Sequence, residues 1–191
     1  MKTITMLKVG FLAGIIALMS GCGTMKAAGN LEEGAWGTFN EIWDRWVESE
    51  GDIGWAVVWH RKAEEGVELQ DILDALDNVA MNTPGLMDVG QLPLSQELNA
   101  RGVESGVIHV VSYCNPETAR KMIDFSPAMG AFLPCRVTIV EQEDGLHLYT
   151  MNMDMMIKMG KKMPEELKEL TMAVREAMWA MMEKGATGDV F

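Results

Sequence analysis

Apolar residues recur along this chain with two periods, and the switch between them marks its elements. In "WGTFNEIWDRWVESEG", Trp36, Phe39, Trp43, Trp46 and Val47 fall at helical spacing with acids on the other side, which predicts an amphipathic helix over 36–50. "DIGWAVVWH", residues 52–60, is β-branched and aromatic and reads as a strand. "VELQDILDALDNVA" then places Leu69, Ile72, Leu73, Leu76 and Val79 on one helical face. After the loop signal "NTPG" comes an irregular stretch with a short helix at "SQELNA". "GVIHVVSYC" is the second strand, and "NPETARKMID" is a helix with Asn115 as N-cap and Pro116 at its first position. "CRVTIVEQ" and "LHLYTM" are strands joined by the hairpin turn "EDG". The last helix, "MPEELKELTMAVREAMWAMMEKG", carries a stripe of Leu167, Leu170, Val174, Met178 and Met181 and ends at Gly185. Four strands and several helices in mixed order predict an α+β domain over 52–188. Its sheet is mainly antiparallel, with helices covering one face.

The first residues follow neither period. Lys2 and Lys8 flank a charged n-region, Val9 to Met19 is an uncharged apolar run too short to span a bilayer, and "SGC" ends it with small residues before Cys22. Residues 1–21 therefore read as a secretory signal. A cysteine in this position resembles the lipobox of bacterial lipoproteins, which implies that Cys22 is the lipidated first residue of the mature chain. Gly23 in place of an aspartate points, by the same resemblance, to the outer membrane, facing the periplasm of the cell envelope. The alternative is an ordinary cleaved signal with a free Cys22. Residues 22–35 are small, polar and aperiodic, and read as a tether.

Charge narrows the partners. The chain of 191 residues carries a net charge of −12, and removal of the signal takes away two lysines and no acid. Nucleic acid, which needs a clustered positive surface, is excluded as a partner, and anionic headgroups repel the domain. Any membrane attachment then comes from the lipid. The Trp36 helix docks on the domain, on a second subunit or on an envelope partner, or lies at the headgroup level; its acidic polar face argues against the last.

Beyond Cys22, two cysteines remain in an exported protein, Cys114 and Cys135, separated by 20 residues. A disulfide, a redox dithiol, a pair of thiolate ligands and two independent buried thiols are all compatible with that spacing. No CxxC, zinc-finger spacing or HExxH occurs. His60, His109 and His147 fall on separate predicted strands, and no spacing ties any of them to a cysteine. No carboxylate pair stands out as acid and base, so the chain gives little reason to expect an enzyme.

The densest chemistry is "TMNMDMMIKMGKKM", residues 150–163, with six of the chain's 18 methionines. If the strand continues, Met151 and Met153 share a face, and His147 points the same way as Tyr149 and Met151. Met156, Met159 and Met163 follow the spacing of a core-facing helix. Methionine serves as an adaptable core filler. It is also a soft donor, and Met151, Met153 and Met155 with His147 form a candidate set for copper(I).

"CNPETARKM", "MGAFLPCRVTIVEQEDG" and "YTMNMDMMIKM" are together similar, in order and spacing, to the domain-of-unknown-function 302 family. There Cys-Asn-Pro opens a helix, Leu-Pro-Cys opens a strand, and Met-Asn-Pro begins the segment after the next strand; Met153 stands where that proline is common. The resemblance covers about 52–184. It implies a small α/β plait-like domain, often dimeric, with no activity and no catalytic residue to carry over. The leading expectation is a lipid-anchored, non-catalytic binding module for a soft metal or a sulfur species. The alternatives are a thiol-dependent redox enzyme using Cys114 and Cys135, and a structural dimer presenting the tryptophan-rich helix.

Overall fold

A computed structural model of the chain describes residues 22–189. The signal at 1–21 and the Cys22 side chain lie outside what it describes. Its elements are α1 (Cys22–Gly29), α2 (Ala35–Glu48), α3 (Ile53–Ala56), β1 (Val58–Lys62), α4 (Leu69–Met81), β2 (Met87–Leu92) and α5 (Leu94–Ala100). They continue with β3 (Ile108–Cys114), α6 (Pro116–Phe125), a 3-10 turn (Pro127–Phe132), β4 (Cys135–Gln142), β5 (Gly145–Met151), α7 (Met153–Lys158) and α8 (Glu165–Thr187).

The sheet has five strands in the order β1-β5-β4-β3-β2, every neighbour antiparallel. The sequence predicts four. The missed strand is β2, an edge strand exposed at every position, so no buried period announces it. The strand expected at 52–60 begins only at Val58. Before it, the Asp52 carboxylate accepts the Trp55 N–H at 3.1 Å and caps the short helix α3 instead.

Helices α4 and α8 cover one face. Ile72 and Leu76 of α4 and Met178, Met181 and Met182 of α8 meet Val111, Tyr113, Val137, Ile139 and Leu148 of the sheet in one buried cluster. Gly185 does not end α8. The helix runs on to Gly188, whose φ of 68° closes it, and Gly185 lies at the crowded crossing where an added Cβ would stand 2.7 Å from Leu148 Cδ2.

The segment read as a tether is shaped and docked. α1 occupies Cys22–Gly29, after which the Lys162 N–H donates to Asn30 O at 2.7 Å and the Glu32 N–H donates to Lys158 O at 3.2 Å. The buried Glu32 carboxylate pairs with Lys168 at 2.9 Å. Next comes α2, and its apolar stripe is not the side it docks with. Ala35 and Thr38 are buried, and the Arg45 guanidinium donates to Val58 O at 2.6 Å, while Trp36, Phe39, Trp43, Trp46 and Val47 face out. The periodicity locates the helix correctly, but the small residues let it approach the domain. Among the described residues, no helix is long and apolar enough to cross a membrane.

Candidate functional site

Three strand ends and two helix starts converge at one end of the sheet. Tyr113 pairs with Cys135 across β3 and β4, which sets Cys114, the last residue of β3, diagonally beside Cys135, the first of β4. The register between β4 and β5 pairs Val137 with Thr150, so Met151 ends β5 next to the start of β4. Two asparagines then start helices: Asn115 accepts the Thr118 N–H at 3.1 Å to begin α6, and Asn152 accepts the Asp154 N–H at 3.0 Å to begin α7. Met153 therefore sits at the first helical position, where proline is also at home, and the turn forms without it.

This convergence encloses a cavity of about 20 Å³. Six sulfur side chains line it: Cys114, Met122, Cys135, Met151, Met153 and Met156. The space has room for one atom-sized guest. Beside it opens a second space of about 170 Å³, which Arg136, Thr138 and Tyr149 help to line. Phe132, Cys135, Met151 and Met153 border both spaces. The Leu133–Pro134 peptide on the rim is cis.

The two cysteines are free thiols, so the bridge suggested by their pairing is not formed. Burial raises both thiols above their ordinary value; Cys135 is pushed up to about 11 by burial, with the neighbouring Cys114 adding to the effect. A nucleophilic or redox-active cysteine shows the opposite, a depressed pKa in an electropositive setting. No histidine lines the cavity, so no Cys–His pair is available to activate either thiol.

His147 is in another constellation, at the β1–β5 border. Its Nε2 lies 2.8 Å from Asp144 Oδ1 and its Nδ1 2.8 Å from His60 Nε2. A carboxylate only accepts, so neutral His147 carries its proton on Nε2 and accepts at Nδ1 from the N–H of His60. Lys62 and His147 together hold the Asp144 carboxyl down to about 2. The ring of His60 stacks on His147 and Tyr149 at centroid distances of 5.1 and 4.8 Å. Burial, followed by the adjacent His147, lowers the pKa of His60. On the opposite face His109 bonds Gln91 at 3.0 Å.

The structure thus divides the ligand set expected from sequence. Met151 and Met153 reach the cavity. Met155 does not, because the chain turns helical at Met153 and the alternation that grouped it with its neighbours stops there. His147 is held by Asp144 and His60 instead. Cys114, Cys135, Met122 and Met156 take their places, and Met163, grouped by spacing with Met156, lies beyond α7 against Thr171. Among the described residues, no group of three or more His, Cys, Asp or Glu is placed to hold a metal ion. A wider open cleft of about 340 Å³ between α2, β1 and α8 is lined by Trp55, Trp59 and Trp179 with Arg45, Arg61 and Arg175. Two of these arginines are committed to carboxylates, Arg61 to Glu183 and Arg175 to Asp154.

A family model described as "Domain of unknown function DUF302" matches residues 39–185. An uncharacterized protein of Aquifex aeolicus is 30% identical over 90 residues, which is 45% of this chain and 54% of that protein; the chain thus spans about half the length of that relative. Among solved structures, an uncharacterized conserved DUF302 protein from Bacillus stearothermophilus superposes with a TM-score of 0.53 at 17% identity. The match covers 67% of this chain and 97% of that one, a likeness of fold.

Proposed function

The chain belongs to the DUF302 family, and we propose that this member is a lipid-anchored envelope protein that captures one soft metal ion, copper(I), at the sulfur-lined cavity. The observation that carries this reading is the six sulfur side chains around a space of about 20 Å³. Thioether and thiol donors select soft cations over the harder ions that carboxylate or imidazole would hold. The raised thiol pKa values support a binding role over the alternative of a thiol-dependent redox enzyme, because an unmetallated pair stays protonated and unreactive. A neutral, half-buried to buried donor set also fits an acidic protein: the ion brings positive charge, and each thiol that binds releases a proton.

Copper(I) titration under anaerobic, reducing conditions tests the proposal. Cys114→Ser, Cys135→Ser and Met153→Leu should each weaken binding at least tenfold, about 1.4 kcal/mol. Met155→Leu and His147→Ala should leave it unchanged. No binding by the parent chain, or losses in the second pair equal to those in the first, would refute the assignment. The anchor is tested separately: Cys22→Ala should leave the membrane fraction and lose the mass of the acyl chains, whereas detergent-free release of the unaltered protein would count against it.

A further inference from the structure

Among the described residues, the aromatic stripe of α2 is left largely uncovered. Trp36 is 66% exposed, Trp43 52% and Ile53, from α3, 64%. Phe39, Ile42, Trp43, Trp46 and Ile53 line a wholly apolar groove of about 210 Å³. The rings follow one another along the helix, Trp36 on Phe39 at 6.1 Å and Trp43 on Trp46 at 5.2 Å. Taking ~200 Å² for an aromatic side chain, the four rings leave roughly 400 Å² uncovered, the size of the largest apolar patch on a monomer, which is often functional.

We propose that this stripe is a membrane-docking surface that lies at the headgroup level of a zwitterionic bilayer; the inference rests on the envelope reading above. Two observations point to a bilayer, and a third restricts its charge. First, on that envelope reading the anchor, whether the apolar run from Val9 to Met19 or a lipid on Cys22, lies at the start of α1. α1 is eight residues long, about 12 Å. The segment after it is pinned to the domain through Asn30 and Glu32, so the anchor emerges within that short reach of the docked segment from which α2 starts. Second, three indoles and a phenyl on one line are the side chains favoured where apolar and wet regions meet. Third, Glu41, Asp44 and Glu48 are exposed on the same helix, in a chain of net charge −12. They repel anionic headgroups and leave a zwitterionic surface as the compatible one.

The test uses the full chain reconstituted on phosphatidylcholine vesicles whose acyl chains carry bromine, which quenches indole fluorescence on contact. The parent should be quenched. A Trp36→Phe/Trp43→Phe/Trp46→Phe variant, which keeps the apolar surface and leaves Trp55, Trp59 and Trp179 as reporters, should show little or no quenching. Vesicles rich in phosphatidylglycerol should quench the parent less. Equal fractional quenching of parent and triple variant, or an unquenched parent on the vesicles, would overturn the inference. An unquenched parent that sediments as a dimer, while a Trp36→Ser/Trp43→Ser variant sediments as a monomer, would assign the stripe to a second copy. The Cys22→Ala chain tests the anchor by itself: its sedimentation with vesicles as fully as the parent's would sink the lipid anchor while quenching still decides the stripe.

Discussion

Raising the pH from 6.5 to 7.5 should tighten copper(I) binding by close to a hundredfold. Burial lifts Cys114 above its ordinary value and Cys135 to about 11, so both thiols are protonated throughout that interval. Each sulfur that binds as thiolate must release its proton, and below a group's pKa every released proton multiplies the binding constant tenfold per pH unit. Two thiols give a hundredfold, about 2.7 kcal/mol at 1.36 kcal/mol per unit. An activated cysteine pair, ionised below pH 7, would give almost no slope. The slope therefore counts the thiols that bind as thiolate. Competition with a chromogenic copper(I) chelator of known pH dependence, measured anaerobically at several pH values, reads the slope directly. Cys114→Ser or Cys135→Ser should cut it to tenfold per unit, and the double variant should bind through thioethers alone with no slope. A parent slope below tenfold, or one unchanged in the single variants, would refute the reasoning.

Gly185→Val should destabilise the fold by at least about 2 kcal/mol, since the first added carbon already stands 2.7 Å from Leu148 Cδ2 and 3.4 Å from Ile72 and Leu76; an unchanged urea midpoint would contradict the packing at the α4–α8–β5 crossing. His60, whose pKa is lowered in the fold mainly by burial, takes up its proton more readily unfolded. Its contribution to stability is complete above about pH 6.5 and fades as the pH falls below that. Thermal melts of His60→Gln should accordingly show a weaker decline between pH 7 and 5 than those of the parent, and parallel declines would rule out this origin. Met153→Leu should keep its unfolding midpoint within about 1.5 kcal/mol of the parent while losing copper(I) affinity, and a large drop in stability would make this residue a packing element first.

What the sequence discloses here depends on how local the cause is. Asn115 followed by Pro116 announces the start of α6 because capping and a fixed φ act within one turn. β4 is read at its full extent, Cys135–Gln142, because its apolar side chains alternate between a packed helix face and the opposite face. β2 leaves no such trace, being exposed along its whole length, and Gly90 interrupts it at a register shift. The stripe on α2 shows a helix but not which side docks. Ala35, Thr38 and Arg45 settle that, and small or charged residues do not look like a core in a periodicity plot. For the cavity, spacing isolates Cys114, Cys135 and the methionine run but cannot join them. Their meeting depends on the pairing of Tyr113 with Cys135 and on a change from strand to helix at Asn152. Strand alternation puts His147 on one face with Tyr149, yet its partner His60 comes from 87 residues away.

The most direct measurement is copper X-ray absorption on the anaerobic full chain loaded with one equivalent of copper(I). The sulfur cavity predicts that one ion per chain survives gel filtration and that its nearest neighbours are sulfur atoms only. Replacing Cys114 and Cys135 together with serine should leave a weaker site whose remaining sulfur neighbours are the thioethers of the cavity. A first shell containing imidazole nitrogen, or a chain that returns from gel filtration without copper, would contradict the assignment.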